Sequence, residues 1–70
     1  MMPLTMAAPG EQNTIKKVGG KEETRQFLAK LGFVPSAHVT IITQISGNVI
    51  VSIKESRVAI SREMAAKIMV

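Results

Sequence analysis

The chain has no cysteine, tryptophan, tyrosine or aspartate, and its single histidine is His38. Without cysteine there is no disulfide, no thiolate nucleophile and no thiolate metal site. One imidazole leaves any metal site to His38 and glutamates drawn from other elements, with no ligand spacing to bring them together. The five acids are Glu11, Glu22, Glu23, Glu55 and Glu63. Only Glu22 and Glu23 are close in sequence, and adjacent residues diverge around a helix. The paired carboxylates of acid–base catalysis therefore have no evident source. Aromatic residues are limited to Phe27 and Phe33, too few for the stacking platforms on which barrels bind single-stranded nucleic acid. Long apolar runs are missing too, none approaching the roughly 18 residues of a membrane span. Met1 to Ala8 is apolar but lacks a basic flank and is interrupted by Pro3, so it does not read as a signal peptide. These absences lead us to expect a soluble, cytoplasmic protein that is not an enzyme and carries no cofactor.

What is present is aliphatic. Hydrophobic residues make up 46% of the 70 residues, supplied mainly by Ile, Val, Leu, Met and Ala. A chain of this length is expected to form one domain, residues 1–70, burying roughly 60% of its unfolded surface. Lys and Arg outnumber the acids nine to five, for a net charge of +4. An acidic partner or nucleic acid is one reading of that balance. The basic residues are scattered, however, with no run of about five like charges, and a solvated positive surface is the favoured reading.

Pro9-Gly10 signals a turn after the first eight residues. Before it, Met1–Thr5 reads as an edge strand or a loose tail, since Pro3 opposes a central strand. Asn13 to Val18 reads as a strand anchored by Ile15 and Val18, with an irregularity between them. Lys21 to Leu31 reads as a helix in which Thr24, Phe27, Leu28 and Leu31 share a face. Phe27 and Phe33 are both expected in or near the core. Glu22 and Glu23 begin this helix and Lys30 ends it, each suited to the macrodipole. Gly32 then stands where a left-handed residue ends a helix, with Pro35 beyond it.

From His38 the period changes to two. His38–Ile45 reads as a strand with Val39, Ile41 and Ile45 inward, although Ile42 and Thr43 break the alternation. Ser46-Gly47-Asn48 is a tight hairpin turn, and Val49 to Lys54 follows with Val49, Val51 and Ile53 inward. Glu55-Ser56 turns into a third strand, Arg57–Ile60. Ser61 is placed to cap one helical turn through Ala66, and Lys67 to Val70 closes as a strand with Ile68 and Val70 on one side. Such short apolar strands are best protected by curling into a barrel, with the helix over one open end.

Gly19-Gly20-Lys21 before the helix invites a phosphate-loop reading, but Glu22 and Glu23 follow directly and the full spacing is missing. The distinctive segment is the helix-end loop Leu31-Gly32-Phe33-Val34-Pro35-Ser36. Its apolar side chains serve either as a lid on the core or as a patch for a partner.

The order of these features resembles the ferrous iron transport protein A (FeoA) family of small SH3-like barrels. Pro9-Gly10-Glu11 precedes the first strand and Gly19-Gly20 the helix. Leu28-Ala29-Lys30-Leu31-Gly32-Phe33-Val34-Pro35 is similar to the family's helix and L-G-hydrophobic-x-P segment. The stretch from Arg57 through Ala65 and Ile68 to Val70 is similar to its ending. Ser36 departs from the glycine common after that proline, and the hairpin from Gln44 to Val49 is shorter than usual. The resemblance implies a mainly β, SH3-like barrel of about five short strands, with one α-helix and a helical turn before the last strand. It implies an accessory or regulatory role in ferrous iron uptake, as a monomer or weak homo-oligomer. The expected partner is the cytoplasmic domain of the ferrous iron membrane transporter, met through Arg25, Leu31, Gly32, Phe33, Val34 and Pro35, with Arg57 and Arg62 further candidates. Two alternatives remain at this stage. One is a small basic barrel for nucleic acid. The other is a stand-alone module like the C-terminal domain of iron-dependent repressors, sensing metal weakly through His38 and a glutamate.

Overall fold

The computed structural model describes residues 1–70. Six strands occur in chain order with two short helices: β1 (Gln12–Thr14), β2 (Lys17–Val18), α1 (Glu22–Lys30), β3 (His38–Ile45), β4 (Asn48–Ile53), β5 (Ser56–Ser61), α2 (Arg62–Ala65) and β6 (Ile68–Met69). A 3₁₀ turn at Leu4–Met6 precedes them. The strands form a mainly β, SH3-like fold of two antiparallel sheets, one ordered β1-β3-β4-β5 and the other β2-β6.

The expected strand from Asn13 to Val18 is two strands, and the expected irregularity is where the chain changes sheets. The amide of Ile15 donates to Ala37 O at 2.8 Å, whereas the next amide, Lys16, donates to Met69 O at 2.8 Å. Ile15 is buried at this crossing. Its side chain therefore fills the space between the two sheets.

The N-terminal segment is no loose tail: Met2 and Pro3 pair at the edge of the β2-β6 sheet before the chain turns at Leu4–Met6. Met2 and Val70 exchange hydrogen bonds of 2.9 and 2.8 Å, and Pro3 bridges to Met69, so β6 is flanked on both sides. Leu4 and Ala7, three residues apart on a tight turn, point the same way and are buried. Proline in this segment hid the periodicity that would have marked them as core.

The hairpin between β3 and β4 turns on Ser46 (φ 43°) and Gly47 (φ 83°), the doubly left-handed geometry that matches strand twist. Within β3 the register shifts between Ile41 and Thr43. The extra residue, Ile42, moves every later side chain to the opposite face. Ile45, expected inward, is consequently 53% exposed, and Gln44 takes the inner side, its amide reaching Thr5 O at 3.3 Å. The next turn is also one residue earlier than expected. Ile53 pairs with Ser56, which leaves Lys54 and Glu55 as the loop. β5 pairs only with β4, so hydrogen bonding does not run as a closed ring.

One cluster of 14 buried aliphatic and aromatic residues holds these elements together, including Leu4, Ile15, Leu28, Phe33, Ile41, Val51 and Ile68. Ser61 caps α2 as expected, accepting from the Met64 amide at 3.2 Å.

Candidate functional site: the C-terminal end of α1

The nine residues of α1 bury only Leu28 fully. At about 100° per residue, Thr24, Leu31 and Phe27 fan away on one flank of Leu28 and Arg25 lies on the other. Thr24 and Leu31 are half-buried, but Phe27 is 47% exposed, so it is not part of the core as the helical spacing suggested. The helix has nine residues and buries only Leu28 fully; a side chain about 100° from that contact line is left uncovered.

The helix ends as the sequence indicates. The Gly32 amide donates to Ala29 O at 3.0 Å and the Phe33 amide to Leu28 O at 2.9 Å, the paired bonds of a Schellman motif. Gly32 has φ 105°, a conformation that only glycine adopts without strain. The reversal carries Phe33 into the core, where it is 1% exposed. The chain then leaves the core through Val34, 38% exposed, and exposed Pro35.

Val34 to Ala37 is a tight turn, closed by the Ala37 amide donating to Val34 O at 3.1 Å. Pro35 occupies its second position and Ser36, at φ 72°, its third, where a type II turn requires a left-handed residue. The Ser36 amide donates to Ile15 O at 2.7 Å, tying the loop to the point where the chain changes sheets.

The six sequence-predicted residues thus divide by environment. Gly32 and Phe33 are buried and shape the loop; Leu31, Val34 and Pro35 present apolar surface; Arg25 stands on the opposite flank of the helix. Phe27 is the surface residue that sequence reasoning missed. Its place at the edge of the apolar stripe was the available signal, because an edge position is buried only if something covers that flank. Arg57 and Arg62, the further candidates, are exposed on β5 and α2.

No three of the His and Glu side chains gather as a metal-binding group. His38 Nδ1 instead lies 3.3 Å from the Thr14 hydroxyl. No helix is long and apolar enough to cross a membrane.

Comparison with known proteins agrees with this geometry. The FeoA domain model matches residues 2–70. A protein of Methanocaldococcus jannaschii described as "Putative Fe(2+) transport protein A" is 37% identical over 70 residues, spanning 100% of this chain and 85% of that protein. The crystal structure of an iron uptake regulatory protein (FeoA) superposes with TM-score 0.86 at 27% identity, covering 96% of this chain and 89% of that one. A manganese-dependent transcriptional repressor also superposes, with TM-score 0.86 over 94% of this chain and 38% of that one. At 16% identity the repressor shares the fold alone. The family model and the M. jannaschii relative together show that this chain belongs to the FeoA family.

Proposed function

We propose that the chain is an accessory protein of ferrous iron transport that works in the cytoplasm by binding the cytoplasmic domain of the membrane transporter. Membership of the FeoA family and the description of the M. jannaschii relative as "Putative Fe(2+) transport protein A" support the link to ferrous iron. The observation that supports a binding role is the apolar surface at the end of α1. Phe27 and Val34 are among the few large hydrophobic side chains left exposed, and both lie within a few residues of the Schellman turn. An exposed aromatic on a rigid element is well suited to anchor a partner, because little conformational freedom is lost when it is covered. Leu31 and Pro35 add apolar surface near them, while Arg25 offers a cation on the opposite flank of the helix.

NMR titration of the full-length chain with the transporter's cytoplasmic domain tests the proposal. Saturable amide shifts concentrated at Thr24–Ala37 are expected. Shifts elsewhere, or none, would overturn it.

A further inference from the structure

The outer face of the four-stranded sheet carries a feature that partner binding at α1 does not use. The register places Gln12 opposite Thr40, Thr40 opposite Ser52 and Ser52 opposite Arg57, a polar row crossing all four strands. Thr14 stands opposite His38 in the neighbouring row. Lys54 follows Ile53, the partner of Val39, and so extends that second row beside His38. The molecule's one groove, about 380 Å³, lies here, lined by Gln12, Ala37, His38, Thr40, Ser52 and Lys54. No carboxylate lines it. Glu11 and Glu55, the acids nearest in sequence, are exposed outside it.

Lys54 is the unusual member. It holds φ 53°, a left-handed conformation that costs a non-glycine residue free energy and that Gly or Asn would accept more readily. Its stem lies over Gly32, with Cε 3.5 Å from where a β-carbon on that glycine would stand. Lys54 is exposed, with its stem passing over the helix end and its ammonium open to solvent. The positive φ belongs to the two-residue turn between β4 and β5, and Lys54 is the one cation on the lining of this acid-free groove. Beside it, Thr40 and Ser52 contribute hydroxyls and Gln12 an amide, all able to donate. If the Thr14 hydroxyl donates to His38 Nδ1, the neutral ring keeps its proton on Nε2, a further donor.

We propose that this groove binds a phosphate-type oxyanion, through Lys54 with Thr40, Ser52 and Gln12. Several donors spread over three strands suit a tetrahedral group with acceptors in many directions. A planar carboxylate is better met by a two-pronged guanidinium, and the one arginine nearby, Arg57, lies outside the lining. The groove is larger than a bare phosphate, so the same chemistry is supplied either by free phosphate or by the phosphoryl group of a small ester.

The test is NMR titration of the full chain with inorganic phosphate and, separately, with glycerol phosphate, each against sodium chloride at matched ionic strength to remove general screening. Saturable shifts at Gln12, His38, Thr40, Ser52 and Lys54 are expected with at least one probe. Tighter binding of the ester assigns the site to a phosphorylated molecule; tighter or equal binding of inorganic phosphate assigns it to the free ion. Lys54→Met keeps the stem over Gly32 and removes the charge, and should weaken binding at least tenfold while the spectrum stays folded. Ser52→Ala is the second variant, expected to weaken binding about threefold. Non-saturating shifts spread over the surface lysines, or unchanged affinity in folded Lys54→Met, would overturn the proposal.

Discussion

The Phe33 amide donates to the Leu28 carbonyl at 2.9 Å, and this bond joins the only residue α1 buries fully to the aromatic that enters the core beyond it. The link reverses the chain through Gly32. Of the exposed apolar side chains at this end, Phe27 precedes the reversal, and Val34 and Pro35 are positioned by it.

Gly32→Val tests the reversal. A β-branched side chain at φ 105° is strained by about 1–3 kcal/mol, and its branches would also meet the Lys54 stem and Ile53. Melting should fall by about 4–24 °C, since 1 kcal/mol shifts a domain of this size by about 4–8 °C. An unchanged melting temperature would mean that the helix does not end in this way.

The two phenylalanines should respond in opposite ways. Phe33→Ala removes a buried ring at a cost of about 3–5 kcal/mol, a large part of the stability of a chain this short. Phe27→Ser removes a half-exposed ring at similar helix propensity and should cost under about 1 kcal/mol. Chemical denaturation of the two variants provides the comparison.

Ser36→Gly should stabilise the protein. Ser36 holds φ 72° in the turn after Pro35, and relief of left-handed strain exceeds the added chain entropy of glycine by about 0.5 kcal/mol. A rise of a few degrees in melting temperature is expected. A fall would mean that the Ser36 side chain contributes more than its backbone costs.

Ser61→Ala removes the oxygen that accepts from the Met64 amide at 3.2 Å. Loss of such a cap costs about 1 kcal/mol, here read as lower thermal stability and faster amide exchange at Met64.

These variants also mark how far the sequence is legible. The Gly32 stop, the Ser61 cap and the alternation of Val49, Val51 and Ile53 follow local rules, and each stands where those rules put it. Ile45 does not, because a single bulge at Ile42 reverses the faces beyond it and leaves only a broken alternation as its trace. Leu4 is core because β6 returns from the far end of the chain to pair beside it, a contact with no local signature. For Phe27 the helical period gave the flank correctly, but whether that flank is covered depends on tertiary packing that the period does not carry. The Lys54 groove depends on cross-strand register, which pattern alone does not supply.

The central claim is that the exposed apolar end of α1 contacts the transporter. The most direct measurement is calorimetric titration of the transporter's cytoplasmic domain with the full-length chain and with the Phe27→Ser/Val34→Ser variant. The account predicts binding by the unaltered chain and at least tenfold weaker binding by the variant, with a folded spectrum and little change in melting. Equal affinity of the two, or no binding by the unaltered chain, would contradict it.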